Sequence, residues 1–210
     1  MTRPNILKIN SITPETDIIL AAADILDHDG VLVVPTETRY GLAVRADRQS
    51  SFEKVYDIKG RSEKIPSAIF IKDTECIPDY AVETNISRRL AAKFLPGPLT
   101  LVLDARPGMD NPAVYKGRVG LRISSSKVIA ALLDTVAFGL TATSANRSGT
   151  GNLETVEQIA AVFGDAVDLY LDAGRLDGPV STVVDASGDR ARILREGAIG
   201  QDEIAKEVAV

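Results

Sequence analysis

"VVPTETRYGL", residues 33–42, passes from buried strand to a dense polar cluster within a few positions. Two valines lead into Pro35. Thr36, Glu37, Thr38, Arg39 and Tyr40 then supply hydroxyl, carboxylate, hydroxyl, guanidinium and phenol before Gly41 closes the stretch. The wider segment "GVLVVPT" reads as a buried strand preceded by a glycine. Such a cluster often does no more than cap its strand, so its meaning depends on what else in the chain points to the same place.

Helical and strand-like segments alternate on either side. Ile18, Ile19, Ala22, Ile25 and Leu26 have helical spacing and predict a helix over 15–28. Ser50 and Glu53 form a capping-box pattern opening a helix through Ile58. "SAIFIK" and "LTLVLD" are short apolar strands, separated by a helix near 86–94 whose exit is marked by "PGP". "RVGLRI", "FGLTAT", "VDLYLD", "TVVDAS" and "ARILRE" read as further strands, with helices near 126–134, 154–163 and 201–208. About eight strands interleaved with helices predict an α/β fold with a large twisted sheet of mixed direction and flanking helices. No repeat, low-complexity tract or linker interrupts it, so residues 1–210 read as one domain.

Composition narrows the function. At 210 residues the chain is long enough to bury a real core. Its apolar runs are too short to span a bilayer, and "MTRPNILKIN" lacks the features of a secretory signal. These features predict a cytoplasmic protein with no membrane contact. The single cysteine, Cys76, excludes an intramolecular disulfide and a cysteine-based metal cluster, and no metal ligand is assigned. The one histidine, His28, falls near a helix end and reads as a surface residue. A net charge of -5 argues against a dedicated polyanion binder, but a local cationic pocket remains compatible with it. Neither a Walker A sequence nor a G-x-G-x-x-G after a strand is present.

Four polar clusters stand at the ends of the predicted strands. They are Thr36, Thr38 and Tyr40; Lys59 and Arg61 of "DIKGRS"; Ser144, Asn146 and Ser148 of "TATSANRSG"; and the edge group Arg122, Ser181, Thr182 and Arg195. Each has an ordinary structural explanation. Cations suit a helix C-terminus, Ser, Asn and Gly suit a turn, and charges blunt sheet edges. Together they supply four cations and several hydroxyls, a set suited to a small molecule carrying carboxylate and phosphates.

"GVLVVPTETRYGLAV", "KGR", "FLPGPLTLVL", "VGLRIS", "TATSANRSG", "STVVD" and "ILREGAI" follow one another in the order seen in the YrdC-like threonylcarbamoyl-AMP synthases. The resemblance runs from about Ile18 to Ile199. It implies a twisted α/β fold with a deep cationic cavity. It also implies conversion of L-threonine, bicarbonate and ATP to threonylcarbamoyl-AMP and pyrophosphate, with Mg²⁺ accompanying ATP. The adenylate would pass to the downstream transferase machinery that modifies tRNA; weak direct tRNA binding is compatible with this role. Carried over by position, Thr36, Arg122, Ser144 and Ser181 would hold threonine. Lys59, Arg61, Asn146 and Arg195 would hold the nucleotide, with Lys59 and Arg61 serving catalysis at the leaving phosphates.

The chain departs from the family pattern at four places. Phe70 stands where the family often has histidine, Arg118 replaces a hydroxyl residue, Ser62 replaces a proline, and Arg39 occupies an apolar family position. Two rival readings follow: a paralogue that activates another carbamate, and a protein that binds tRNA or double-stranded RNA.

Overall fold

The structure, a computed structural model, describes residues 3–60, 67–147, 149, 151 and 153–210, without the Ala142 side chain. The predicted Arg61, Ser62 and Ser148 lie outside the described residues. All eight expected strands form, and two more join them. In chain order the strands are β1 (Ile6–Lys8), β2 (Leu32–Pro35), β3 (Tyr40–Ala43), β4 (Ala68–Phe70), β5 (Leu99–Asp104), β6 (Arg118–Arg122), β7 (Leu140–Ser144), β8 (Leu169–Asp172), β9 (Thr182–Asp185) and β10 (Arg192–Arg195). The helices are α1 (Thr16–Asp27), α2 (Gln49–Lys59), α3 (Ile77–Tyr80), α4 (Asn85–Phe94), α5 (Lys127–Thr135), α6 (Val156–Phe163) and α7 (Gln201–Glu207).

The sheet order is β1-β8-β2-β3-β7-β4-β6-β5-β9-β10, with parallel and antiparallel neighbours mixed. β7 joins its two halves. Thr143 and Ser144 pair with β3, while Thr141 and Leu140 pair with β4.

The opening stretch is therefore a hairpin rather than a strand end. β2 pairs antiparallel with β3 from Leu32↔Ala43 to Pro35↔Tyr40, and Thr36–Arg39 form the connection. β3 escapes the sequence pattern because four consecutive buried positions leave no alternation to detect. β1 has only three residues and lies at the sheet edge.

Alternation along the strands decides where the site lies. In the first half of the sheet both faces are covered. Leu32 and Val34 pack with α1 and α5, while Val31 and Val33 pack with α6. The second half differs. Ile69, Leu99, Leu101, Leu121 and Val184 point into a core completed by α4 and α7. Their alternating neighbours Phe70, Thr100, Val102, Gly120, Arg122 and Val183 face a cavity.

The expected capping box at Ser50 and Glu53 does not form. Arg48 is the N-cap of α2 and makes no side-chain cap, and Glu53 accepts a hydrogen bond from Gln49 instead. Capping boxes close α4 through Thr84 and Ser87, and α6 through Thr155 and Gln158. At the other end of α2, Gly60 adopts φ 64°, a left-handed conformation that glycine reaches without steric penalty. Lys59 is thereby left as the last helical residue.

Candidate functional site

The cavity encloses ≈ 730 Å³, within the ~300–1,000 Å³ common for small-molecule sites. Stretches far apart in the chain meet there: the β2–β3 connection, β4, β5, β6, β7 and the β9–β10 pair. Of the residues in the four predicted clusters, Thr36, Thr38, Tyr40, Arg122, Ser144, Ser181 and Arg195 line it. Thr182 points the other way. It is fully buried, and its hydroxyl donates to Ile199 O (2.7 Å) and accepts from the Gly197 and Ile199 amides (both 3.0 Å).

Arg122 leaves the end of β6 and is held from several sides. Its Nη2 donates to Glu37 Oε1 (2.7 Å) and Thr38 Oγ1 (3.0 Å), and its guanidinium carbon lies 5.3 Å from the centre of the Phe70 ring. Ser124 donates its hydroxyl to the other Glu37 oxygen. Glu37 is thus a clamp that holds Arg122 in one orientation. Arg122 Nε is buried without a hydrogen-bond partner among the described residues. A buried donor left unmade costs about 1–3 kcal/mol, so a ligand acceptor here would recover that energy.

Thr36 lines the cavity, but its hydroxyl is occupied by the turn. It accepts from the amides of Thr38 and Arg39 (both 3.1 Å) and donates to Arg39 O (2.6 Å). Its contribution is to shape the hairpin connection that carries Glu37, Thr38 and Arg39. Beside it, the Tyr40 hydroxyl donates to Gly174 O (2.6 Å) and accepts from Ala173 N (2.9 Å); burial pushes its pKa up to about 12.

Arg195 curls back over its neighbouring strand. Its Nε and Nη2 donate to Ser181 O (3.1 and 2.9 Å), and Nη2 also reaches Ser181 Oγ (2.9 Å). Burial first, and then the like charge of Arg122, lowers its proton affinity. Two guanidinium groups therefore sense each other across the site, and an anion between them would relieve the repulsion.

Lys59 and Asn146 are not among the residues that line the cavity but join it through Ser144, which does. Lys59 is 1% exposed, and its Nζ donates to the carbonyls of Ser144 and Asn146, the latter at 2.8 Å. Ser144 in turn donates its hydroxyl to Asn146 Oδ1. One buried ammonium thus fixes the turn that presents Ser144. Its removal would cost stability as well as any direct action on substrate.

The sequence reading named Thr38 in its first cluster and Arg118 as a departure from the family pattern, but it passed over Thr100 and gave Glu37 no role. Thr38 and Thr100 are buried hydroxyls in the lining, and Thr100 Oγ1 lies 3.4 Å from Ser181 Oγ. Glu37 stood in the opening cluster, but no local pattern marks a carboxylate that serves an arginine 85 positions away. Arg118 also lines the cavity, held by Asp185 and by Asp104 at 3.4 Å. Among the described residues no group of three or more His, Cys, Asp or Glu side chains could hold a metal ion, and no helix is long and apolar enough to cross a membrane.

The chain is similar in sequence and in fold to known proteins. The family model for Sua5, YciO and YrdC, described as telomere recombination, matches residues 24–197. A putative threonylcarbamoyl-AMP synthase of Methanocaldococcus jannaschii is 33% identical over 84% of each chain. The threonylcarbamoyl-AMP synthase of Bacillus subtilis is 30% identical over 89% of this chain, which spans 55% of that protein. The crystal structure of Pyrococcus abyssi Sua5 complexed with L-threonine superposes with a TM-score of 0.88 at 27% identity, covering 97% of this chain and 62% of that one.

Proposed function

The chain belongs to the Sua5/YciO/YrdC family, and from that premise we propose that it is an L-threonylcarbamoyladenylate synthase. It joins L-threonine, bicarbonate (or carbon dioxide) and ATP into threonylcarbamoyl-AMP and pyrophosphate. The observation that carries this reading is the convergence of Arg122, Arg195, Ser144 and Ser181 on one cavity.

The protein offers no obvious nucleophile, and this reaction needs none from it. The threonine amine attacks carbon dioxide, forming the N–C bond of a carbamate and losing a proton. A carbamate oxygen then attacks the α-phosphorus of ATP as the bond to the β-phosphate breaks, and pyrophosphate leaves. Catalysis of this kind rests on alignment and on stabilising the charge of the departing group. Arg122, oriented by Glu37, takes the threonine carboxylate, while Ser144 and Ser181 orient the amino acid. Arg195 serves the α-phosphate side; Asn146 would supply neutral hydrogen bonds to the nucleotide, which requires its side chain to turn from Ser144 toward the cavity.

Lys59 and Arg61 are our candidates for the leaving phosphates. For Lys59 this requires exchanging a carbonyl of the Ser144–Asn146 turn for a phosphate oxygen. The described residues provide no cage for a resident metal, so we assign Mg²⁺ to the triphosphate as part of the substrate. The adenylate would be consumed by a transferase acting on tRNA, in the cytoplasm.

A second reading, activation of a different carbamate, draws on Phe70, whose ring lies in the cavity lining beneath Arg122. One methyl against an apolar wall distinguishes threonine from serine by ~1–3 kcal/mol. Incubating the protein with ATP, Mg²⁺, bicarbonate and each amino acid in turn separates the readings. Pyrophosphate release that requires both bicarbonate and threonine supports the synthase. Release with another amino acid and none with threonine supports the paralogue.

A further inference from the structure

Arg39 is a cavity cation whose present contacts do not account for it. It lines the cavity beside Thr36, Thr38 and Tyr40, and its side chain is only 18% exposed. Its Nε and Nη1 are buried and make no hydrogen bond among the described residues. The nearest carboxylate oxygen, Glu154 Oε1, is 3.6 Å from Nη1, an ion pair too long for a hydrogen bond. The other oxygen of Glu154 already has a closer partner, Arg175 Nη2 at 2.5 Å. The Arg39 backbone, by contrast, is fixed: the Thr36 hydroxyl accepts from its amide and donates to its carbonyl. The chain thus anchors the base of this side chain and leaves its head loosely held.

The neighbours indicate what the head would meet. Ala145 N donates to Tyr40 O (2.9 Å), and Gly41 pairs with Ser144. Arg39 therefore leaves the hairpin beside the Ser144–Asn146 turn that Lys59 holds. A planar guanidinium with unmade donors matches the geometry of phosphate oxygens, and charge-assisted bonds of this kind outweigh a long, partly solvated ion pair. We infer that Arg39 is a substrate-contacting residue that gives up its contact with Glu154 to bind an oxyanion of the polyphosphate chain. Glu154 keeps Arg175 when Arg39 leaves, so the exchange strands no carboxylate. The inference deepens the synthase reading and rests on it for the identity of the anion.

Calorimetric titration with inorganic pyrophosphate, without amino acid or bicarbonate, tests the contact directly. The proteins compared are wild type, Arg39→Met, Arg39→Lys and Glu154→Gln. Arg39→Met is expected to bind about 10-fold more weakly or worse, the scale of one lost charged hydrogen bond. Arg39→Lys falls between it and wild type, and Glu154→Gln binds at least as tightly as wild type. Binding by Arg39→Met within twofold of wild type overturns the inference, as does a wild type that binds no pyrophosphate. If Arg39→Met fails to fold, Arg39→Lys decides: weakening of about threefold or more supports the contact, and unchanged binding overturns it. The two readings fail separately. Loss of pyrophosphate binding in Arg39→Met without threonine-dependent turnover in wild type keeps the anion contact and removes the synthase. The reverse pattern removes only the contact.

Discussion

Arg122 shows how much of the candidate site depends on a side chain whose work is to hold another in place. Glu37 accepts from both Arg122 and Ser124 and lies at 14% side-chain exposure. Replacing Glu37 by glutamine keeps the shape but removes the charge that holds the guanidinium. The expected result is a KM for threonine about 10-fold higher, equivalent to ~1.4 kcal/mol, with the KM for ATP within twofold of wild type. Equal changes in both constants would show that Glu37 supports the fold rather than Arg122. Arg122 itself was legible in the sequence as a cation at a strand end. Its clamp was not, because the pairing spans 85 positions and is created by the hairpin.

At the scale of elements, strand alternation separates roles that adjacent letters hide. In "STVVD", Ser181 faces the cavity and Thr182 faces the core. The Thr182 hydroxyl bonds three backbone groups of the segment that follows β10, and so ties the turn after Arg195 to β9. Thr182→Val is expected to leave those groups unpaired and to lower stability by ~1–3 kcal/mol, a fall of several degrees in Tm. An unchanged Tm would contradict that role. The eight strands with clear apolar runs were readable one by one. β1 and β3 were not, since short segments without alternation owe their form to neighbouring strands. The Ser50–Glu53 pattern misled for a related reason: a capping motif marks a helix start only where the backbone outside the helix is extended at the cap, and here that residue is Arg48.

The whole molecule carries a second charge network along the cavity wall. Asp185 accepts from Arg118 and, at 3.3 Å, from Arg192, and its other oxygen accepts from Ser187. Burial alone would raise its pKa. The hydrogen bonds from Ser187 and the Arg118 charge outweigh it and hold the carboxyl below its ordinary 3.8. A depressed carboxyl stabilises the fold above its unfolded-state pKa, and that contribution disappears as pH falls through the folded value. Arg118 and Arg192 are substantially solvated, so the contribution is at most about 1 kcal/mol. The stability difference between wild type and Asp185→Asn should therefore be present at pH 7 and shrink on acidification below the ordinary carboxylate range. A difference independent of pH would assign it to packing.

The same sheet half that builds this network builds the site, by turning one face to a core and the other to a cavity. In the proposed reaction this cavity aligns a carbamate with the α-phosphate of ATP. Incubation with ATP, Mg²⁺, threonine and ¹³C-bicarbonate, followed by mass spectrometry, tests it most directly. The expected product is a threonine-containing adenylate carrying one ¹³C, formed together with pyrophosphate. An adenylate of threonine without the label, or no adenylate at all, would contradict it.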